Sequence, residues 1–290
     1  MTLPSSATAP SFRESKRALH WLFFGGLLLV FLGSARLAQV DPGVLLDARA
    51  RANFLRFFAG AFPPDLSPEF LRFLIKPTLE TIQISILGTA IAVAIGFPLA
   101  LLGTATLAYR GVLHAREVVG APSRRVVVRF LPYAASRALL SAFRSIPEFV
   151  WAFMFVRAVG LGPFPGVLAV GVAYGGMIGK VYSEILEAVD PQPLEALQAT
   201  GASRWQILAY GFLPQAYPNF VSYTLYRWEC AIRASAVMGL VGAGGLGQQI
   251  EISMRMFDFH QMFTLVVILF GLVGAIDWLS ARIRRRVFAR

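Results

Sequence analysis

Long uncharged runs alternate with short polar stretches along this chain, and that alternation predicts its elements. The first apolar run covers residues 18–35 and follows Arg13, Lys16 and Arg17. From residue 81 to 109 nothing is charged, which exceeds the roughly 20 residues a helix needs to cross the hydrocarbon. Residues 132–156 and 164–182 predict two further spans, parted by a tight turn at Gly160-Leu161-Gly162-Pro163. Residues 215–240 predict a fifth and residues 261–280 a sixth. The pattern predicts an all-α integral membrane protein of about six transmembrane helices. Residues 1–17 read as a disordered N-terminus, residues 36–77 as a mixed-charge segment between the first two spans, and residues 282–290 as a basic tail. Within 36–77, Phe54, Leu55, Phe57 and Phe58 among Arg51 and Arg56 suggest a short amphipathic helix on the membrane surface. Gly33-Ser34-Ala35 offers a cleavage-like site, but a retained first span fits a chain with so many later spans better than a signal peptide does.

One polar island breaks the apolar pattern, at residues 190–214. Asp190 is placed to cap a helix with Pro191 at its first position, where a missing N–H costs nothing. Gly201 would end that helix in the left-handed conformation. Ser203 and Gln206 have capping-box spacing for a second helix, with Trp205, Leu208 and Phe212 on one face and Pro214 closing it. A helix–Gly–helix insert too polar for lipid is suited to docking on something outside the membrane.

Composition supports the membrane reading: 56% of the 290 residues are hydrophobic and 15% charged, with a mean hydropathy of +0.61. The net charge of +11 does not point to nucleic acid, because the basic residues flank apolar runs rather than gather on one polar domain. Of the 27 Lys and Arg, fourteen fall on the side that holds both termini and the 190–214 insert, and eight on the other. That bias places the termini and the insert in the cytoplasm. A single cysteine, Cys230, excludes an internal disulfide framework, and His20, His114 and His260 match no metal-ligand spacing.

Two motifs resemble nucleotide sites without their context. Gly242-Ala243-Gly244-Gly245-Leu246-Gly247 is formally a GxGxxG, yet it follows a membrane span instead of the strand of a soluble βαβ unit. Gly242, Gly244, Gly245 and Gly247 read better as a tight turn or a close helix approach. Gly179-Lys180 is followed by Val181 where a phosphate loop requires Ser or Thr. No catalytic constellation is present in the sequence, so the chain is expected to be no enzyme and to bind no cofactor or metal of its own.

Charges inside the predicted spans are costly and should face the bundle interior or a wet cavity. Three sets stand at i,i+4: Arg144 with Glu148, Lys180 with Glu184, and Glu229 with Arg233. Together with Arg227 they suggest a translocation path of surplus positive charge, suited to an anionic solute. Interhelical glue is the competing reading.

The insert resembles the cytoplasmic loop of permease subunits of binding-protein-dependent ABC importers, whose pattern is EAA, three residues, Gly, nine residues, then IxLP. Glu195-Ala196-Leu197, Gly201 and Leu213-Pro214 match it, with Leu197 in place of Ala and Gly211 in place of Ile. Arg144-Ser145-Ile146-Pro147-Glu148, Val159-Gly160-Leu161-Gly162-Pro163 and Arg233 followed by Val241 to Gln248 extend the likeness over residues 78–281 to phosphonate-type permeases, relatives of the methionine importer permeases. The resemblance implies a permease homodimer in the bacterial inner membrane and two cytoplasmic ATPase subunits seated on the insert as a coupling helix. It also implies a periplasmic or lipid-anchored solute-binding protein. ATP and Mg would be bound by the ATPase partner, not by this chain. The implied solute is a phosphonate, with phosphite and methionine-like solutes as alternatives. An ion-coupled secondary transporter would leave the insert unexplained, and a membrane-embedded enzyme would need a catalytic constellation that the sequence lacks.

Overall fold

The computed structural model describes residues 12–41, 43, 47–108 and 123–288. Residues 110–129, expected from their charge to be a basic loop, lie outside them as far as residue 122 and are helical from residue 123; His114 and the first eleven residues also lie outside. Two compact units divide the chain at residue 59.

The first unit holds α1 (Phe12–Leu37) and most of α2 (Ala48–Ala61). The side chains of α1 from Trp21 to Phe31 are apolar and exposed, as in a helix that meets lipid tails. Phe54, Phe57 and Phe58 form a cluster of rings on α2.

The second unit is a helical bundle built on two helices. α3 (Pro68–Leu102) has 35 residues, about 52 Å of helix, so it begins well before the uncharged run at residue 81. α7 (Pro163–Glu187) lies along it and is buried over most of its length. Glycines bring the two backbones together. A Cβ on Gly96 would stand 2.8 Å from the carbonyl oxygen of Gly175 and 2.9 Å from the nitrogen of Gly179. Gly179, the residue that imitated a phosphate loop, is therefore a packing glycine of the membrane kind.

The predicted third span is not one helix. α5 (Ser123–Ser145) and α6 (Glu148–Val159) meet at an angle of 87°. Pro147 caps α6 and has no N–H to continue α5, and Ile146 before it is pushed out of helical geometry. α10 (Leu213–Gly239) is 27 residues long but carries Arg227, Glu229 and Arg233. By length and apolarity, four described helices can cross a membrane, or five if the bent pair counts as one span. α10 packs against α3, α7, α11 (Gly245–Arg255) and α12 (Phe259–Phe288), so Glu229 is buried among protein, while Arg227 is partly buried and Arg233 stays exposed. α12 runs seven residues past Ala281, through the segment expected to be a separate tail.

The main core joins Ile84 and Ala92 of α3 to Val170, Tyr174, Ile178 and Tyr182 of α7 and Phe220 and Met238 of α10. A smaller one joins Leu74, Leu246 and Leu265. Outside the bundle, the Asp65 carboxylate accepts the Ser67 N–H at 3.0 Å, which holds it below its ordinary pKa.

Candidate functional site

The 190–214 insert folds from its own local signals. Asp190 accepts the Gln192 N–H at 3.0 Å and caps α8 (Pro191–Ala199), whose first residue is Pro191. Gly201 follows with φ +85°, a conformation that costs an L side chain about 1–2 kcal/mol. The capping box is complete: Gln206 Oε1 accepts the Ser203 N–H at 2.7 Å, and Ser203 Oγ accepts the Gln206 N–H at 3.4 Å. It opens α9 (Arg204–Ile207).

Beyond α9 the sequence expectation needs two corrections. Trp205 and Phe212 do not share a face: Trp205 is 78% exposed and Phe212 only 3%. A π-helical turn, Leu208–Phe212, lies between them and rotates the face. Nor does Pro214 close the helix. It sits in the first turn of α10, so the insert runs straight into that span. The widened turn makes room for a proline ring that would otherwise clash with the carbonyl four residues back.

Leu194, Ile207, Phe212 and Ala216 belong to the same core as α3 and α7. Glu195, Ala196 and Trp205 point outward. The insert is thus a rigid extension of the bundle with an exposed acidic and aromatic face. Glu187, at the end of α7, accepts the N–H of Ala105 at 2.9 Å and pairs with Arg137 at 2.6 Å. This ties the middle of α5 and the start of α4 (Ala105–Ala108), just beyond α3, to the end of α7 beside the insert.

The intramembrane charges are paired differently from their sequence spacing. Lys180 and Glu184 do form an ion pair. Arg144 and Glu148 do not, because the bend at Pro147 destroys the i,i+4 relation, and neither has an ion pair among the described residues. Glu229 is bound not by Arg233 but by Arg284 of α12, at 2.6 Å. Arg233 faces Asp277 of α12 at 3.7 Å. Arg227 lies 3.9 Å over the Tyr174 ring and donates to Met177 Sδ at 2.6 Å, while its buried Nε has no partner.

The glycine-rich segment makes a turn at the end of the bundle opposite the insert. Gly242, Gly244 and Gly245 have φ between +75° and +90°. Glu80 accepts the Gly245 N–H at 3.0 Å and Thr81 Oγ1 accepts the Leu246 N–H at 2.9 Å. The place of Gly247 is set by contact: a Cβ there would overlap the carbonyl oxygen of Ala236.

Residues 118–289 match the family of binding-protein-dependent transport system inner membrane components. The phosphite transport system permease protein PtxC of Stutzerimonas stutzeri is 37% identical over 269 residues, which cover 91% of this chain and 90% of that one. The chain belongs to this family. The phosphate-import permease protein PhnE of Mycolicibacterium smegmatis is 32% identical over 267 residues, covering 90% of this permease and 46% of that protein. Among solved structures, an inward-facing MetNI methionine ABC transporter superposes with a TM-score of 0.63 at 25% identity, over 77% of this permease and 99% of that chain.

Within the permease, the residues that sequence reasoning missed are the distant halves of its ion pairs. Arg137–Glu187, Glu229–Arg284 and Arg233–Asp277 join positions 44 to 55 apart, so no local spacing signals them. The only cue was composition: Asp277 and Glu187 are acidic residues within or just beyond apolar runs.

Proposed function

We propose that this permease subunit takes a small phosphorus oxyanion, of the phosphonate and phosphite class, from a solute-binding protein and passes it to the cytoplasm. ATP hydrolysis by a separate ATPase seated on the 190–214 insert drives the step. The observation that carries the coupling role is the continuity of the insert with the core. Leu194 and Phe212 are buried in the same cluster as Tyr174 and Tyr182, so a push on the outward-facing Glu195 and Trp205 displaces α7 and α10 together. The Lys and Arg bias supports a cytoplasmic position for the insert and both termini. The intramembrane surplus of Arg, and relatives named for phosphite and phosphate transport, support the solute class. Two permease copies with two ATPase subunits would complete the transporter, with ATP and Mg held by the ATPase. The chain itself then contributes no cofactor chemistry: it supplies a path and a lever.

Reconstitution of the permease with its ATPase and binding protein in proteoliposomes tests the reading. ATP-dependent uptake of phosphonate or phosphite, not displaced by excess methionine, is expected. Uptake of methionine with no uptake of either oxyanion would overturn it.

A further inference from the structure

The ion-pair pattern sorts the cations of the bundle by what occupies them. Arg137, Lys180, Arg233 and Arg284 each face a carboxylate. Arg227 does not. Its guanidinium stacks on Tyr174, a ring only 3% exposed in the middle of α7, and its sole hydrogen-bond acceptor among the described residues is the Met177 thioether. A neutral sulfur is a weak acceptor, so no ion pair neutralises this charge among the described residues. Stacking holds the plane of the guanidinium while leaving the N–H groups at its edge, where a tetrahedral oxyanion presents oxygens with matching geometry.

Tyr174 belongs to the main core, and the side of α7 that leads away from it through Met177 and Lys180 to Glu184 becomes progressively more open. Met177, Lys180 and Glu184 lie one turn apart along one side of α7. Glu184 is 52% exposed despite its pairing. Charged groups at this depth are tolerated where water or solute reaches them. Arg144, the other cation inside the predicted spans that has no ion pair among the described residues, is exposed beside the 87° bend and has no aromatic platform among them.

Resting on the oxyanion reading above, we propose that Arg227 is the group that reads the charge of the solute in transit, with Tyr174 as its positioning residue. A solute oxygen displaces Met177 from the guanidinium edge, and the cation is neutralised only while the path is loaded. Arg144 and Arg233, which the sequence also placed on the path, serve less well: Arg233 faces Asp277, and Arg144 has no ion pair among the described residues.

The test uses the complete transporter in proteoliposomes and reads oxyanion uptake beside ATP hydrolysis. Arg227→Met is expected to lower uptake roughly 10- to 100-fold, the worth of a charged hydrogen bond. The loaded binding protein should still stimulate hydrolysis, so fewer solutes cross per ATP. A purely structural role would lower uptake and hydrolysis together. Tyr174→Phe keeps the ring face and should keep uptake; Tyr174→Leu should lose it. Arg227→Lys, which keeps the charge and favours assembly, should give intermediate uptake, and it carries the test if Arg227→Met fails to assemble. Wild-type uptake per ATP in Arg227→Lys overturns the assignment. A wild-type transporter that imports no phosphorus oxyanion overturns the solute reading, and this inference with it.

Discussion

Leu197 lies against Gly211. A Cβ on Gly211 would stand 3.2 Å from Leu197 Cδ1 and 2.6 Å from Leu194 Cδ2. These are the two positions where the insert departs from the EAA…IxLP pattern, and the departures meet in space: a larger residue on α8 faces a smaller one on the π-helical turn. The pattern's volume is kept while its distribution is exchanged, the kind of swap that cores tolerate best.

That relation predicts a double-mutant result. Gly211→Ile alone should overpack the α8 contact and destabilise the insert by about 1–3 kcal/mol. Adding Leu197→Ala should recover part of the loss, with Leu194 accounting for the remainder. Thermal unfolding in detergent and ATPase co-purification measure both; equal destabilisation in single and double variants would separate the two positions.

The insert's outward face predicts a loss of partner without a loss of fold. Glu195→Lys should leave the permease inserted while weakening its association with the ATPase. Gly201→Asp should do the same with added strain from the left-handed backbone. Normal uptake by both variants would leave the insert as a structural hairpin.

Arg137 and Glu187 predict a compensated pair. Arg137→Met leaves a carboxylate whose remaining hydrogen bond among the described residues is from the Ala105 N–H, at a cost below the roughly 3–5 kcal/mol of a fully buried pair, because the two side chains are 20% and 30% exposed. Arg137→Met with Glu187→Gln should regain most of the melting temperature. Failure to regain any would place the role of Arg137 in its stack on Tyr133.

The two links from α10 to α12 should differ in weight. Glu229 is 8% exposed and its bond to Arg284 is 2.6 Å, whereas Arg233 and Asp277 are half-exposed at 3.7 Å. Glu229→Gln should therefore lower the melting temperature more than Asp277→Asn. The opposite order would contradict the burial argument.

What the sequence disclosed followed the range of each signal. Caps, Gly201 and the capping box depend on residues within four positions, so Asp190, Ser203 and Gln206 were readable in advance. The long apolar runs were readable because lipid imposes their length. The π-helical turn was not, since it depends on fitting Pro214 into a continuing helix while Gly211 packs against Leu194 and Leu197 of α8. Ile146-Pro147 was a legible breaker inside a run long enough to pass for one span. The partners of Glu229 and Arg233 were hidden because i,i+4 spacing offered each to the other, while α12 supplied better-placed groups from about fifty residues away.

The docking of the ATPase on the insert is tested most directly by thiol labelling of Ala196→Cys in a Cys230→Ser background. Position 196 is exposed on α8 beside Glu195. An impermeant reagent should label it in inside-out vesicles and not in intact cells, and addition of the ATPase should protect it. Labelling from outside the cell, or unchanged labelling in a complex that contains the ATPase, would contradict the account.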